Sequence, residues 1–255
     1  MKRYYYVATA LPTLKIGDPP EISFEELMVL LKENLNKKDF KKIEQLRLYY
    51  DIQNLKALWK KKPFNRFANF NSVQLEENLI DETHLPWYVF DFIEKYESIA
   101  SRLSHFEELV SHYYLYEIQG AKGFLKKYLS FEKEWRLIFL GFRAKVLSFS
   151  LSHELQYQDP HEEIVAQMMA QKDSKSYIVP SEYESLQPLF EKYRESPMKM
   201  YQGLLEYRFN KIEELLGVDL FSLERIVGYV AQLILIENWE ALDQEKGSKI
   251  IKSLM

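Results

Sequence analysis

Five histidines, charged residues repeated at helical spacing and a complete lack of cysteine set the limits on the chemistry this chain can do. His153-Glu154 and His161-Glu162 begin like H-E-x-x-H, in which two imidazoles one helical turn apart grip zinc. Tyr157 and Val165 occupy the second histidine positions, so no zinc pair results. A di-iron bundle needs Glu-x-x-His twice, but Asp81, Arg102, Leu109, Ser150 and Gln158 stand three residues before the histidines. Without cysteine there are no disulfides, thiolate nucleophiles or cysteine-ligated metals. Phosphate-binding glycine loops and the G-x-S-x-G nucleophile elbow are absent. Gly120-Ala121-Lys122-Gly123 imitates a nucleic-acid clamp, which works only within an α/β module. Glu108 and His112, one turn apart, read as a surface pair. The expectation is a non-enzyme with no cofactor and no metal.

Two other stripes place charge beside large aromatics. Arg47, Asp51 and Asn54 fall on one helix face among Leu46, Tyr50 and Leu55, and Glu132, Arg136 and Arg143 line another beside Trp135, Phe139 and Phe142. Charges so flanked are partly buried and need partners. One reading makes Arg47–Asp51 and Glu132–Arg136 helix-stabilising pairs. A second makes the stripes anchors for another protein, since arginine and aromatics dominate interfaces. A third lines a ligand cavity with Arg47, Asp51, Arg136 and Arg143. Tyr113, Tyr114 and Tyr116 cannot all face inward on one helix, which predicts aromatic surface there.

These positions need helices to hold them. In 255 residues, 47% are hydrophobic while glycine (8) and proline (9) are scarce, so a folded chain with long elements follows. Ser23-Phe24-Glu25-Glu26 is a capping box, and Asn36 leads into a long helix that Pro63 ends. Further starts are predicted at Pro86-Trp87, at Ser104 (running to about Tyr128), at Ser130, Asp159-Pro160, Ser181, Ser196-Pro197 and Ser222, with Gly217 as a C-terminal cap. The expected fold is all-α, nine or ten helices in multi-helix bundles, with period-two alternation confined at most to residues 3 to 8. The asparagine-rich stretch Phe64 to Leu85 divides an N-terminal subdomain (1–80) from a central and C-terminal bundle (81–255). The formal charge of −4 gives no basic field for nucleic acid. Ile226 to Ile236, the most apolar run, is shorter than a membrane span and contains Gln232. No direct membrane insertion and no cleaved signal are expected, and the absence of cysteine fits a cytoplasmic protein.

Three segments combine aromatic, acidic and amide residues that helical period does not require. Tyr4-Tyr5-Tyr6-Val7-Ala8-Thr9-Ala10-Leu11-Pro12-Thr13-Leu14 resembles the N-terminal signature of an uncharacterised bacterial family encoded within V-type ATPase operons. Arg47 to Leu55 resembles its Arg-x-x-Tyr-Asp-x-x-Asn-Leu segment, and Phe131 to Arg136 with Arg143-Ala144-Lys145 resembles its central helix. The likeness runs on through Asn238-Trp239 to the lysine-rich end. It implies an accessory role in ion transport, in its sharpest form that of the all-helical central-stalk socket between the rotor shaft and the membrane ring. The implied partners are V-type ATPase rotor/stalk and membrane-ring subunits, with the chain held at the membrane only through that complex. The partner-binding candidates are Arg47, Asp51, Asn54, Glu132, Trp135, Arg136 and Arg143.

Overall fold

The computed structural model describes residues 4–174 and 177–254, with side chains in the last helix described to residue 242. Lys2, Arg3 and the side chains of the lysine-rich end lie outside the described residues. Thirteen α-helices, one 3-10 turn (Ser181–Tyr183) and no strand occur among the described residues. The first seven are α1 Tyr5–Ala10, α2 Phe24–Asn34, α3 Lys37–Trp59, α4 Ser72–Ile80, α5 Trp87–Lys95, α6 Ile99–Ser104 and α7 Phe106–Gly120. The rest are α8 Gly123–Leu147, α9 Leu151–Glu154, α10 Glu163–Ala170, α11 Leu186–Tyr193, α12 Pro197–Leu215 and α13 Leu223–Leu254.

Local signals set many of the starts. Ser23 Oγ accepts the Glu26 N–H while Glu26 returns a carboxylate to the Ser23 N–H, and Asn71 with Gln74 repeats this box at α4. Pro197 is the first residue of α12, where its missing N–H is no loss. Elsewhere the chain departs from its local pattern. Residues 5–10 are a helix rather than an alternating strand. The helix opening near Ser104 ends at Gly120, and α8 begins at Gly123, so Ser130 lies inside it. Pro160 sits in a turn before α10, and Gly217 does not take the left-handed conformation of a helix cap.

The chain divides into two compact units, interleaved along the sequence. Residues 80 and 81, where a boundary was expected, both fall inside the second. The first unit comprises 1–47, 123–125 and 197–255 and is built on α13. Ile226, Val227, Val230, Leu233, Ile234, Leu235 and Ile236 are all within 1% of complete burial, so this run is apolar on every side because α13 is a core helix. α12 packs on it, burying Leu205 and Ile212; α1 and α2 pack on it as well, with Val7, Phe24, Leu27 and Leu31 buried. The Cβ-less backbone of Gly228 admits Leu216, whose side chain would lie 2.7 Å from an added methyl. α13 also supplies carboxylates to other helix starts: Glu237 Oε1 accepts the buried Phe24 N–H at 2.6 Å, and Glu224 Oε1 accepts the Phe124 N–H at 3.1 Å.

The second unit comprises 48–122 and 126–196. α7 is packed by α5 and α6, and Tyr88, Phe92, Phe106, Leu109 and Tyr113 are almost wholly buried. Around α8, Phe139, Phe142, Tyr177 and Phe190 form an aromatic cluster, with Phe142 stacked on Phe190 at 5.0 Å. Gly141 makes room for it: an added Cβ would meet the Tyr177 ring at 2.9 Å.

Candidate functional site

Asp51 and Asn54, on the second-unit part of α3, are spent on the loop that follows. Asp51 Oδ1 accepts the N–H groups of Asn69 (2.8 Å) and Phe70 (3.1 Å), and Oδ2 accepts the Asn69 side-chain amide at 2.6 Å. Asn54 accepts the Asn65 N–H at 2.8 Å and donates to the Asn65 carbonyl at 3.0 Å. Both side chains are essentially inaccessible, and Tyr50 packs edge-on against Phe67 of the same loop. A buried carboxylate holding two backbone N–H groups is a structural latch, which explains the spacing Asp-x-x-Asn on a helix facing an asparagine-rich loop.

Glu132, Trp135 and Arg136 come together on α8. Arg136 Nη1 donates to the Glu132 carboxylate and carbonyl, and Trp135 Nε1 donates to that carboxylate at 3.3 Å. The guanidinium lies over Trp135 (4.5 Å), Tyr49 (4.8 Å) and Tyr114 (5.8 Å). Burial works against its charge, but Tyr114, Tyr49 and Glu132 outweigh it and hold Arg136 protonated. The expected i,i+4 pair is therefore formed inside an aromatic enclosure. Arg143, two turns on, is exposed and does not join it. Arg47 belongs to the first unit, buried, with its guanidinium 5.2 Å from the Phe24 ring centre.

None of these seven residues lines the three cavities described below. Of Tyr113, Tyr114 and Tyr116, which cannot all face inward, the first two are buried, and Tyr116, half-buried and stacked on Tyr88, is the one that keeps surface. Exposed aromatics lie at Tyr5, Tyr6, Trp87, Phe149 and Tyr201.

A groove of about 450 Å³ in the first unit is bordered by the N-terminal signature. Leu11, Leu14, Phe209, Leu220, Ile226 and Tyr229 line it, and an Arg225–Glu213 ion pair at 2.6 Å lies on its wall. Tyr4 fastens this signature in place: its N–H bonds the Phe221 carbonyl at 2.9 Å and its hydroxyl donates to Asp39. Burial and the Asp39 carboxylate push the Tyr4 hydroxyl up to about 12. Tyr5 and Tyr6 remain more than half exposed, as do Val218 and Leu220. The Tyr5 ring rests 4.8 Å from that of Phe221.

A cavity of about 460 Å³ in the second unit has a different character. Lys95 donates to Glu108 at 2.7 Å and Lys133 to Glu162 at 2.6 Å; Glu108 also accepts the Tyr96 hydroxyl at 2.7 Å. Glu108, expected as a surface residue, is buried, as is Lys133. Burial drives the Glu108 carboxyl upward, but the bonds from Lys95 and Tyr96 more than offset it, leaving a carboxylate below its ordinary range. Sequence reasoning passed over Lys133 because it lies between Glu132 and Glu134 on another face of α8. Its partner Glu162 is 29 residues away, with no periodic relation to mark the pair. Beyond this ion pair, a second space of about 420 Å³ is lined by Glu134 and Tyr183, whose hydroxyl donates to Glu134.

Residues 1–255 match the family described as "Protein of unknown function (DUF2764)". Similar proteins, each called "Uncharacterized protein", occur in Chlamydia trachomatis (30% identical over 98% of this chain and 97% of the relative) and Chlamydia muridarum (29%, with the same coverage). One from Chlamydia pneumoniae is 28% identical over the whole chain and 98% of its own length. No solved structure matches.

Proposed function

We propose, from the premise that this chain belongs to the DUF2764 family, that it is a non-catalytic helical adaptor whose partners are the rotor/stalk and membrane-ring subunits of a V-type ATPase. The observation that carries the adaptor reading is the division of labour within the three resemblance segments. Apart from the exposed Arg143, the charged stripes of the second and third are consumed by the protein's own fold, whereas the first borders a groove and presents Tyr5 and Tyr6 outward. Clustered exposed apolar side chains beside a groove mark a surface made for a partner. The ATPase partner is supported by the resemblance of those segments to proteins encoded in V-type ATPase operons. The sharpest form of the proposal, a counterpart of the all-helical central-stalk socket, is supported by the all-α fold. Association with the membrane runs through the complex, in keeping with no helix among the described residues being long and apolar enough to cross one.

Affinity purification of the tagged full chain from its native cells tests this. V-type ATPase subunits should be recovered, and Leu220→Asp, which puts a charge on the groove wall at an exposed position, should reduce recovery by about tenfold. Recovery of no ATPase subunit under mild extraction overturns the ATPase assignment. Recovery unchanged by Leu220→Asp overturns the groove as its contact.

A further inference from the structure

We propose that the charged cavity of the second unit is a binding site for a small zwitterion of amino-acid size, with its ammonium toward Gln158 and Asp159 and its carboxylate toward Lys95 and His112. The cavity's volume, about 460 Å³, lies within the range of small-molecule sites. Its wall carries both signs of charge: Lys95 and Lys133 against Glu108, Glu162 and Asp159. Two of these, Lys133 and Glu108, are over nine-tenths buried and held by ion pairs and a tyrosine hydroxyl, so part of the wall is preorganised. A lone anion would face three carboxylates, a lone cation would face two ammonium groups, and an apolar molecule would strip water from all five charges. A ligand bearing both signs finds a counter-charge for each of its own ends in such a wall.

Hydrogen-bonding capacity is left over beside these ion pairs. Gln158 Oε1 is buried without a partner, and an ammonium N–H would satisfy it. Asp159 uses Oδ1 on the His161 N–H at 2.9 Å, leaving Oδ2 to a ligand. His112, half-buried on α7 one turn beyond Glu108, has no ring-nitrogen hydrogen bond among the described residues, and Lys95 reaches solvent beside it. Ser111, by contrast, is committed to the Tyr157 carbonyl, which ties the 156–159 segment to α7. The site thus combines fixed ion pairs behind with adaptable polar groups in front. It rests on none of the residues assigned to partner binding, and it stands or falls separately from the ATPase proposal.

The test is a chemical-shift titration of the isotope-labelled full chain at neutral pH with each of the twenty L-amino acids at up to about 10 mM, alongside acetate, methylammonium and glycine betaine. At least one amino acid should give saturable shifts at His112 and Gln158. Acetate and methylammonium, each carrying half of the charge pattern, should not, and neither should betaine, which has no ammonium N–H to offer Gln158. His112→Phe and Gln158→Leu leave both ion pairs intact and should each weaken binding about tenfold while preserving the spectrum elsewhere. Saturation by acetate alone, or no saturable shift from any amino acid, overturns the proposal. So does binding that both variants leave unchanged.

Discussion

Asp51 illustrates how one side chain can look functional and be structural. Its carboxylate accepts three hydrogen bonds from Asn69 and Phe70 in a site with no access to water. Removing it strands two backbone N–H groups and an amide, each costing about 1–3 kcal/mol when left unsatisfied. Asp51→Ala should therefore destabilise the protein by about 3 kcal/mol or more. Asp51→Asn keeps one acceptor and should cost clearly less; the comparison is read from denaturant midpoints at constant m-value. Two other carboxylates respond to pH with opposite signs. Burial, with Glu182 and Glu162 nearby, raises Glu134 above its ordinary value despite the bond from Tyr183. Its contribution to stability is full below the unfolded value near 4.5 and is lost as pH rises through the higher folded value. Glu134→Gln, which still accepts from Tyr183, should be more stable than the parent at pH 7 and gain nothing below about pH 4.5. Glu108 lies below its ordinary value, so its contribution is present above the unfolded value and is lost as pH falls through the folded one. Glu108→Gln should accordingly cost stability at pH 7 and lose that effect in acid, so thermal melts of both variants across pH 3 to 8 should diverge in opposite directions.

At the scale of elements, what was legible in the residues was whatever is decided within one helical turn. The capping box at Ser23 and the proline opening α12 need only neighbours three or four residues away, whereas the box of Asn71 and Gln74 that starts α4 lay hidden in the asparagine-rich stretch. The break between α7 and α8 is different. Gly123 takes φ +61°, and an added Cβ would stand 2.0 Å from Glu224 Oε1, a group a hundred residues further on whose carboxylate holds the Phe124 N–H. Nothing between 104 and 130 announces that contact, so the chain reads locally as a helix running to about Tyr128. The latch of Asp51 and Asn54 was half legible: the asparagine-rich stretch marked a loop, but the side chains that hold it lie 11 to 19 residues upstream. Gly123→Ala should cost about 1–2 kcal/mol from the left-handed backbone alone, with a further loss from displacing Glu224. Glu224→Ala gives up the bond to Phe124 but removes the obstruction. The double variant should thus be less destabilised than the two single changes summed, a coupling measured by a double-mutant cycle.

For the molecule as a whole, the decisive feature is where the compact units change over. Of the four passages, those at 122/123 and 196/197 fall at the starts of α8 and α12, but those at 47/48 and 125/126 occur inside α3 and α8 rather than in loops. No composition shift marks such a crossing, because a continuous helix needs the same residues on both sides of it, whereas the linker-like stretch near residue 80 lies within the second unit. Helix formation is cooperative, with nucleation much costlier than propagation. Melting one unit would oblige α3 to fray in mid-run, and would cut α8 after its first turn, without the capping groups that satisfy helix ends. Unfolding by heat should therefore follow a single transition, with calorimetric and van't Hoff enthalpies in agreement. A proline in α3 ahead of the first crossing removes that constraint: Glu44 is exposed, so Glu44→Pro interrupts the hydrogen-bond ladder, at a cost of about 3 kcal/mol, while burying nothing new. With Glu44→Ala as the control for the lost carboxylate, the proline variant should show a broadened or split transition and the alanine variant a single one. Two resolved transitions in the unmodified chain would mean that the shared helices do not couple the units.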